Sequence, residues 1–181
     1  KLTTYLNLSR QTTDAVFKKL DRKGPKSTSR KTPLPGSETS DFAAFAAGFR
    51  AASPLPEVLR ERLLKLYGVR AAEVLKVGEE DPDLLTPLSP IESVETALIG
   101  AEVIWAFREE MAQTLSDVLL RRTMAGYGPR VALDVAEPAA QVAVEHLGWD
   151  EERAEREVRE YREWVERYTP KEYRDREMSQ A

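Results

Sequence analysis

The chain contains no cysteine, so neither a disulfide framework nor a thiolate metal site is available, and an intracellular setting is expected. Histidine occurs once, as His146. One imidazole cannot supply the histidine-rich ligand set of most catalytic zinc or non-haem iron centres, so no metal site is expected; its position before Leu147 and Gly148 marks the end of a helix. No apolar run reaches the roughly 18 residues of a membrane span. Residues 97–107 come nearest and are interrupted by Gly100 and Glu102. Also missing are a Gly-x-Gly-x-x-Gly turn after a strand, a Walker-type phosphate loop, a His-Glu-x-x-His pair and a nucleophile elbow. Gly126-Tyr127-Gly128 stands outside any strand-to-helix turn and reads as a helix terminator. A self-contained enzyme needs such a device or an equivalent, and none is found.

What is present is the balance of a soluble globular protein, with 41% hydrophobic and 32% charged residues over 181 positions, sized for one domain or for one domain with a trailing helical appendage. The chain begins at Lys1 without an initiator methionine or signal pattern, so it is expected to have been cut from a longer polypeptide. Its net charge of −4 conceals a segregation. Residues 1–35 hold nine Lys and Arg against Asp14 and Asp21, a charge of +7, and the remainder stands at −11. Such a basic segment is able to contact nucleic acid or anionic lipid, with steep salt dependence as the signature. It lacks the interleaved aromatics of a single-strand binder and the acidic body repels polyanions, so a solvated linker is the preferred reading and no nucleic-acid partner is expected.

Apolar spacing predicts an all-α fold, an irregular multi-helix bundle of about seven to eight helices. Leu8, Ala15, Val16, Phe17 and Leu20 give a first helix over residues 6–20, and a basic linker rich in proline, glycine and serine continues to residue 39. Phe42, Phe45, Ala46 and Phe49 put an aromatic core face on a helix started by Ser40 or Asp41. Ser53-Pro54 is the expected start of the next, which Val58, Leu59, Leu63, Leu66 and Tyr67 carry to Gly68; residues 69–77 form another, stopped by Gly78. After a proline-rich loop, residues 98–111 are apolar on nearly all sides until Arg108, as in a helix enclosed by its neighbours, with Gly100 permitting a close crossing. Thr114 and Asp117 form a capped start, and residues 133–146 repeat at helical spacing. Ala154, Val158, Tyr161, Val165 and Tyr168 make the clearest apolar stripe, beside surface pairs Glu152 with Arg156, Glu155 with Arg159 and Glu163 with Arg167. Thr169, Pro170 and Glu172 mark a short terminal helix.

The candidate chemistry lies in Glu102, Arg108, Glu109, Glu110, Asp117, Arg121 and Arg122, which crowd into two helices whose other residues read as buried. Desolvating a lone charge is costly, so these groups must pair. The simplest arrangement is a structural network in which Arg121 or Arg122 spans carboxylates of the preceding helix. The alternative is a guanidinium pair that holds a ligand phosphate.

The order Glu102, Trp105, Ala106, Arg108, Glu109, Glu110, Met111, Thr114, Leu115, Asp117, Val118, Leu119, Arg121, Arg122, Thr123, then Leu147-Gly148-Trp149-Asp150 and a long charged helix, resembles the carboxy-terminal helical domain of bacterial FAD-dependent glycerol-3-phosphate dehydrogenases and the related glycerophosphate oxidases. The likeness covers roughly residues 55–168. Lys1-Leu2-Thr3-Thr4-Tyr5 is similar to the segment that ends the flavin domain in these enzymes, except that Leu6 stands where they commonly carry arginine.

The resemblance implies that residues 1–39 are the end of a flavin-domain motif, a helix and a linker, and that residues 40–181 are the carboxy-terminal helical domain. It implies a parent enzyme that oxidises sn-glycerol 3-phosphate to dihydroxyacetone phosphate through FAD, passing electrons to quinone or oxygen. In that intact enzyme Lys1 would sit at the active site, and Leu2, Thr3 and Thr4 would lie against the flavin. The 181 residues alone are expected to bind no FAD and to be inactive. Their partner would be the flavin domain of the same polypeptide, in a cytoplasmic parent at the inner membrane face that is compatible with a homo-oligomer. The competing reading is an autonomous helical interaction module with an exposed apolar groove.

Overall fold

The computed structural model describes residues 2–79, 81–91 and 97–168; among them it is all-helical, with seven α-helices and no strand. A 3-10 turn at Leu2–Thr4 leads into α1 (Tyr5–Lys19), which buries none of its side chains. Tyr5, Leu8, Val16 and Leu20 are all exposed, and of the rough apolar stripe only Phe17 is half-buried. No further helix forms until residue 42. The linker reaches the body where Gly36 and Gly68, both at positive φ, meet backbone to backbone and Val69 donates to the Gly36 carbonyl at 2.9 Å. A Cβ on either glycine would strike main-chain atoms across the contact, and both conformations disfavour any other residue.

α2 (Phe42–Ala52) is capped by Asp41, whose carboxylate accepts from the Ala44 N–H at 2.9 Å. Ala46 and Phe49 enter the core and Phe45 is half-buried, but Phe42 remains 45% exposed, stacked on Phe45 at the outer end of the row. The aromatic face is thus core at only one end. α3 (Glu57–Tyr67) begins later than its Ser53-Pro54 signal. Ser53 instead closes α2 through its N–H and accepts from the Leu55 N–H, and Pro56 keeps Leu55 from a helical conformation. A 3-10 turn at Gly68–Arg70 joins α3 to α4 (Ala71–Val77), which ends at Gly78 as expected.

α5 (Gly100–Arg108) is the central element, and every residue from 100 to 106 is buried. Gly100 lets it approach both the 3-10 turn at Pro82–Leu85 and the later helix that carries Val142: an added Cβ would lie 2.8 Å from a Leu84 methyl and 3.3 Å from a Val142 methyl. The helix ends at Arg108, where the apolar stretch gives way to charge, and Met111 beyond it takes a left-handed φ of 58°. The capped start at Thr114 forms as expected, with Asp117 Oδ2 accepting from the N–H groups of Gln113 and Thr114 and from the Thr114 hydroxyl. From that cap the chain enters a π-helical segment, Asp117–Arg122, rather than a regular α-helix.

α6 (Ala136–Leu147) and α7 (Glu151–Tyr168) form an antiparallel hairpin. The Leu147-Gly148-Trp149-Asp150 sequence builds its corner. Gly148 is left-handed, Trp149 N–H reaches back to the Ala143 carbonyl at 3.2 Å, and Asp150 caps α7 by accepting from Arg153 N–H at 2.8 Å. Ala154, Val158, Tyr161 and Val165 are buried, while Tyr168 at the stripe's end is 70% exposed. The surface pairs expected along α7 do not close; Arg162 crosses to Glu137 of α6 at 2.7 Å and Arg153 lies 3.9 Å from Glu157. Thr169, Pro170 and Glu172 lie outside the described residues.

Candidate functional site

The deepest polar group is the Glu102 carboxylate in the first turn of α5, fully buried, opposite Arg62 of α3, which is 3% exposed. Arg62 arrives there because its place on α3, three after Leu59 and four before Leu66, lies on the apolar face. Its Nε donates to both carboxylate oxygens at 3.2 Å, and one terminal nitrogen donates to the Thr123 carbonyl at 2.5 Å. The Tyr67 hydroxyl donates to Glu102 Oε1 at 3.2 Å and the Ile99 N–H to Oε2 at 3.3 Å, so the carboxylate also reaches back to cap its own helix. Burial pushes the Glu102 carboxyl above its ordinary range, opposed by the Arg62 charge and the donors around it. Burial, with the nearby Glu102 and Glu110 charges, likewise drives the Tyr67 phenol well up. A carboxylate this saturated with donors is closed to a ligand. It ties α3, α5 and the end of the π segment together.

The charge cluster expected on α5 and the next helix therefore divides. Arg121 pairs with Asp117 of its own turn at 2.7 Å, and Arg122 donates through Nε to the backbone carbonyl of Glu110 at 2.6 Å. Neither spans carboxylates of α5. Donors from Gln113, Thr114 and Arg121 together hold Asp117 below its usual range although burial works against the charge. The half-buried Glu110 is pushed up by burial, with the Trp105 indole and Arg122 pulling the other way, and its Oε2 has no hydrogen-bond partner. Arg108 and Glu109 are exposed, and Arg108 reaches the His146 carbonyl at 3.4 Å. Glu102 finds its partner on α3 instead. A second buried carboxylate, Glu157 of α7, caps the helical start at Leu115, accepting from its N–H at 2.8 Å.

His146 lies in the last turn of α6, where Nε2 is 3.5 Å from Asp81, the cap of the turn at Pro82–Leu85. This ties the loop to the helix end. Tyr161 donates to the Val131 carbonyl at 2.5 Å, and burial raises its phenol. Among the described residues no three His, Asp or Glu side chains gather as metal ligands, and no helix is long and apolar enough to cross a membrane.

At the amino end Lys1 lies outside the described residues. The backbone of Leu2, Thr3 and Thr4 forms a single 3-10 turn at the start of α1, with Thr3 and Thr4 exposed.

Over 92% of the chain, the sequence is 30% identical to a glycerol-3-phosphate dehydrogenase from Synechocystis, of which the match covers 30%. It is 29% identical to glycerol-3-phosphate dehydrogenase 2 of Mycobacterium tuberculosis, again over 92% of this chain and 28% of the relative. A probable mitochondrial glycerol-3-phosphate dehydrogenase of Dictyostelium discoideum is 27% identical over 94% of this chain and 26% of its own length. The chain thus spans about three-tenths of the curated relatives it matches. No solved structure matches it. Residues 27–154, well over half of the chain and including the buried Arg62–Glu102 pair, the π segment and the α6–α7 corner, match the family described as the C-terminal domain of alpha-glycerophosphate oxidase, and to that family the chain belongs.

Proposed function

We propose that this chain is the helical lobe of an FAD-dependent glycerol-3-phosphate dehydrogenase, a structural cap that carries none of the redox chemistry itself. The parent oxidises sn-glycerol 3-phosphate to dihydroxyacetone phosphate at the inner face of the cell membrane, and FAD supplies the hydride acceptor there, with quinone or oxygen taking the electrons. Residues 40–181 are the lobe, and residues 1–39 are its tether to the flavin domain. Lys1 would stand at the reacting centre, with Leu2 and Thr3 offering backbone donors to one edge of the flavin and Thr4 completing the turn.

One observation carries this reading: the body from α2 to α7 has its own continuous core, whereas α1 has no fully buried side chain and exposes most of its apolar residues. An amphipathic helix without a partner is explained by a surface that the other part of the enzyme provides. Met111, Met124 and Tyr127, exposed on two loops joined by the Arg122 contact to Glu110, favour the second reading of a free interaction module.

Removing residues 41–181 from the intact enzyme tests the proposal. Loss of solubility or of flavin retention is the expected result; unchanged activity and stability refute the cap role. Yellow colour and turnover of glycerol 3-phosphate by the 181-residue chain alone would refute the assignment of chemistry elsewhere.

A further inference from the structure

The basic opening segment is folded into a definite shape. After α1, Asp21 takes a left-handed φ of 51° and turns the chain, with Arg22 N–H donating to the Phe17 carbonyl at 3.0 Å. Gly24 then packs against the Phe17 ring so closely that an added Cβ would lie 2.7 Å from it. The linker runs back along one stripe of α1, past positions 14, 10 and 7, and encloses a concavity of about 670 Å³.

The lining of this space is one-sided. Arg10 on the helix and Lys26, Arg30 and Lys31 on the linker border it, against the single carboxylate of Asp14. Among the described residues none of these four cations forms an ion pair, and Arg10 donates only to the Asn7 side chain, at 3.0 Å. Hydroxyl groups fill the wall between the cations. Ser27 and Ser29 share a hydrogen bond of 2.6 Å, and Thr28 heads a turn in which its carbonyl accepts from the N–H groups of Lys31 and Thr32. Guanidinium, ammonium and hydroxyl donors lining one space, with a single carboxylate among them, suit a compact dianion.

We propose that the concavity between α1 and the returning linker is a binding site for a phosphate monoester group. The −11 charge of the remaining chain keeps such anions off the body, so the site is a cationic station on an acidic molecule. It does not depend on the cap reading, since every lining residue belongs to residues 6–31.

The test is an amide-shift titration of the whole chain with inorganic phosphate, against sodium chloride at matched ionic strength. Saturating shifts confined to Arg10 and residues 26–31 are expected, with the double variant Lys26→Gln/Arg30→Gln weakening the apparent affinity about tenfold through loss of two charge-assisted donors. All of these side chains are exposed, so the variant keeps the fold, which its unshifted α5 and α6 amides verify. Vesicles of phosphatidylcholine with and without phosphatidic acid identify the source of the group. Phosphate saturation without vesicle capture indicates a free ester; saturation with capture by the phosphatidic acid vesicles alone indicates a lipid headgroup. Shifts that rise linearly and equally with phosphate and chloride overturn the proposal, and so does binding of a single-stranded oligonucleotide without phosphate saturation.

Discussion

Glu102→Gln removes the charge opposite Arg62 while keeping the side-chain shape, and leaves a guanidinium that is 3% exposed without a counter-ion. Breaking a buried pair by one partner costs about 3 to 5 kcal/mol. For a chain of this size each kcal/mol moves the midpoint by roughly 2 to 4 °C, so Tm should fall by about 6 to 20 °C. Arg62→Met does comparable damage at neutral pH but differs in its pH dependence. The surviving carboxyl is neutralised by protonation, and Glu102 is already pushed above its ordinary range. Its proton is held more tightly in the folded state than in the unfolded one, so stability falls as pH rises from the ordinary carboxylate range through the folded value. The Arg62→Met deficit should therefore shrink in acid, and the Glu102→Gln deficit should not. Arg62→Met combined with Glu102→Leu removes both charges and should recover much of the loss. It does not restore the wild-type value, because the Thr123 carbonyl loses a bond of 2.5 Å and the Tyr67 hydroxyl and Ile99 N–H lose their acceptor. Thermal melts by circular dichroism, from pH 4.5 to 8, measure all three variants. If the losses of Arg62→Met and of Glu102→Leu, each measured alone as well, add to within about 0.5 kcal/mol in the double variant, the two groups are not coupled and the pair does not hold the fold.

Asp117→Ala withdraws the acceptor of three donors at Gln113 and Thr114 and should cost about 1 to 2 kcal/mol, read by urea titration. Since the Asp117 carboxyl is held low, its contribution is present above the unfolded carboxylate range and disappears as pH falls through the folded value; the variant should show no such acid loss. Gly68→Ala meets both a positive φ and the Gly36 carbonyl, and should release the linker from the body, seen as new proteolytic cleavage near residue 36. Amide exchange over residues 8–20 should be fast compared with α5, since α1 opens without exposing any buried side chain; protection equal to that of α5 would contradict its unpartnered state.

The helical class, the sites of α2 and α4 and the corner at Gly148 were legible because each rests on local signals: a cap, an apolar period or a glycine. Departures begin where two elements compete for the same residues. Ser53 and Pro54 form a start signal in isolation, but Ser53 is consumed in closing α2 and Pro56 defers α3. Phe42 and Tyr168 continue apolar stripes and yet stay exposed. The π segment has no local signature in the sequence; its far end is held by Arg62 at the Thr123 carbonyl and by Arg122 on the Glu110 carbonyl.

The buried pair is the most instructive case, because one half was visible and the other was not. Glu102 stands in an apolar run, so its charge had to be answered, and the nearest basic residues in sequence are on the same helix and the next. Arg62 lies 40 positions away in the run Arg60-Glu61-Arg62, which reads as a solvated face. Yet the helical period alone separates them: Glu61 pairs outward with Arg50, whereas Arg62 falls between Leu59, Leu63 and Leu66. A charged residue on the apolar face of one helix and an opposite charge within an enclosed helix satisfy each other's desolvation at the lowest cost when those helices are neighbours. The same reasoning assigns Glu157, which sits among Ala154, Val158 and Tyr161, to an unsatisfied donor inside the fold, and it meets one at the Leu115 N–H. Misplaced charge, more than apolar pattern, is what records the tertiary arrangement of this lobe.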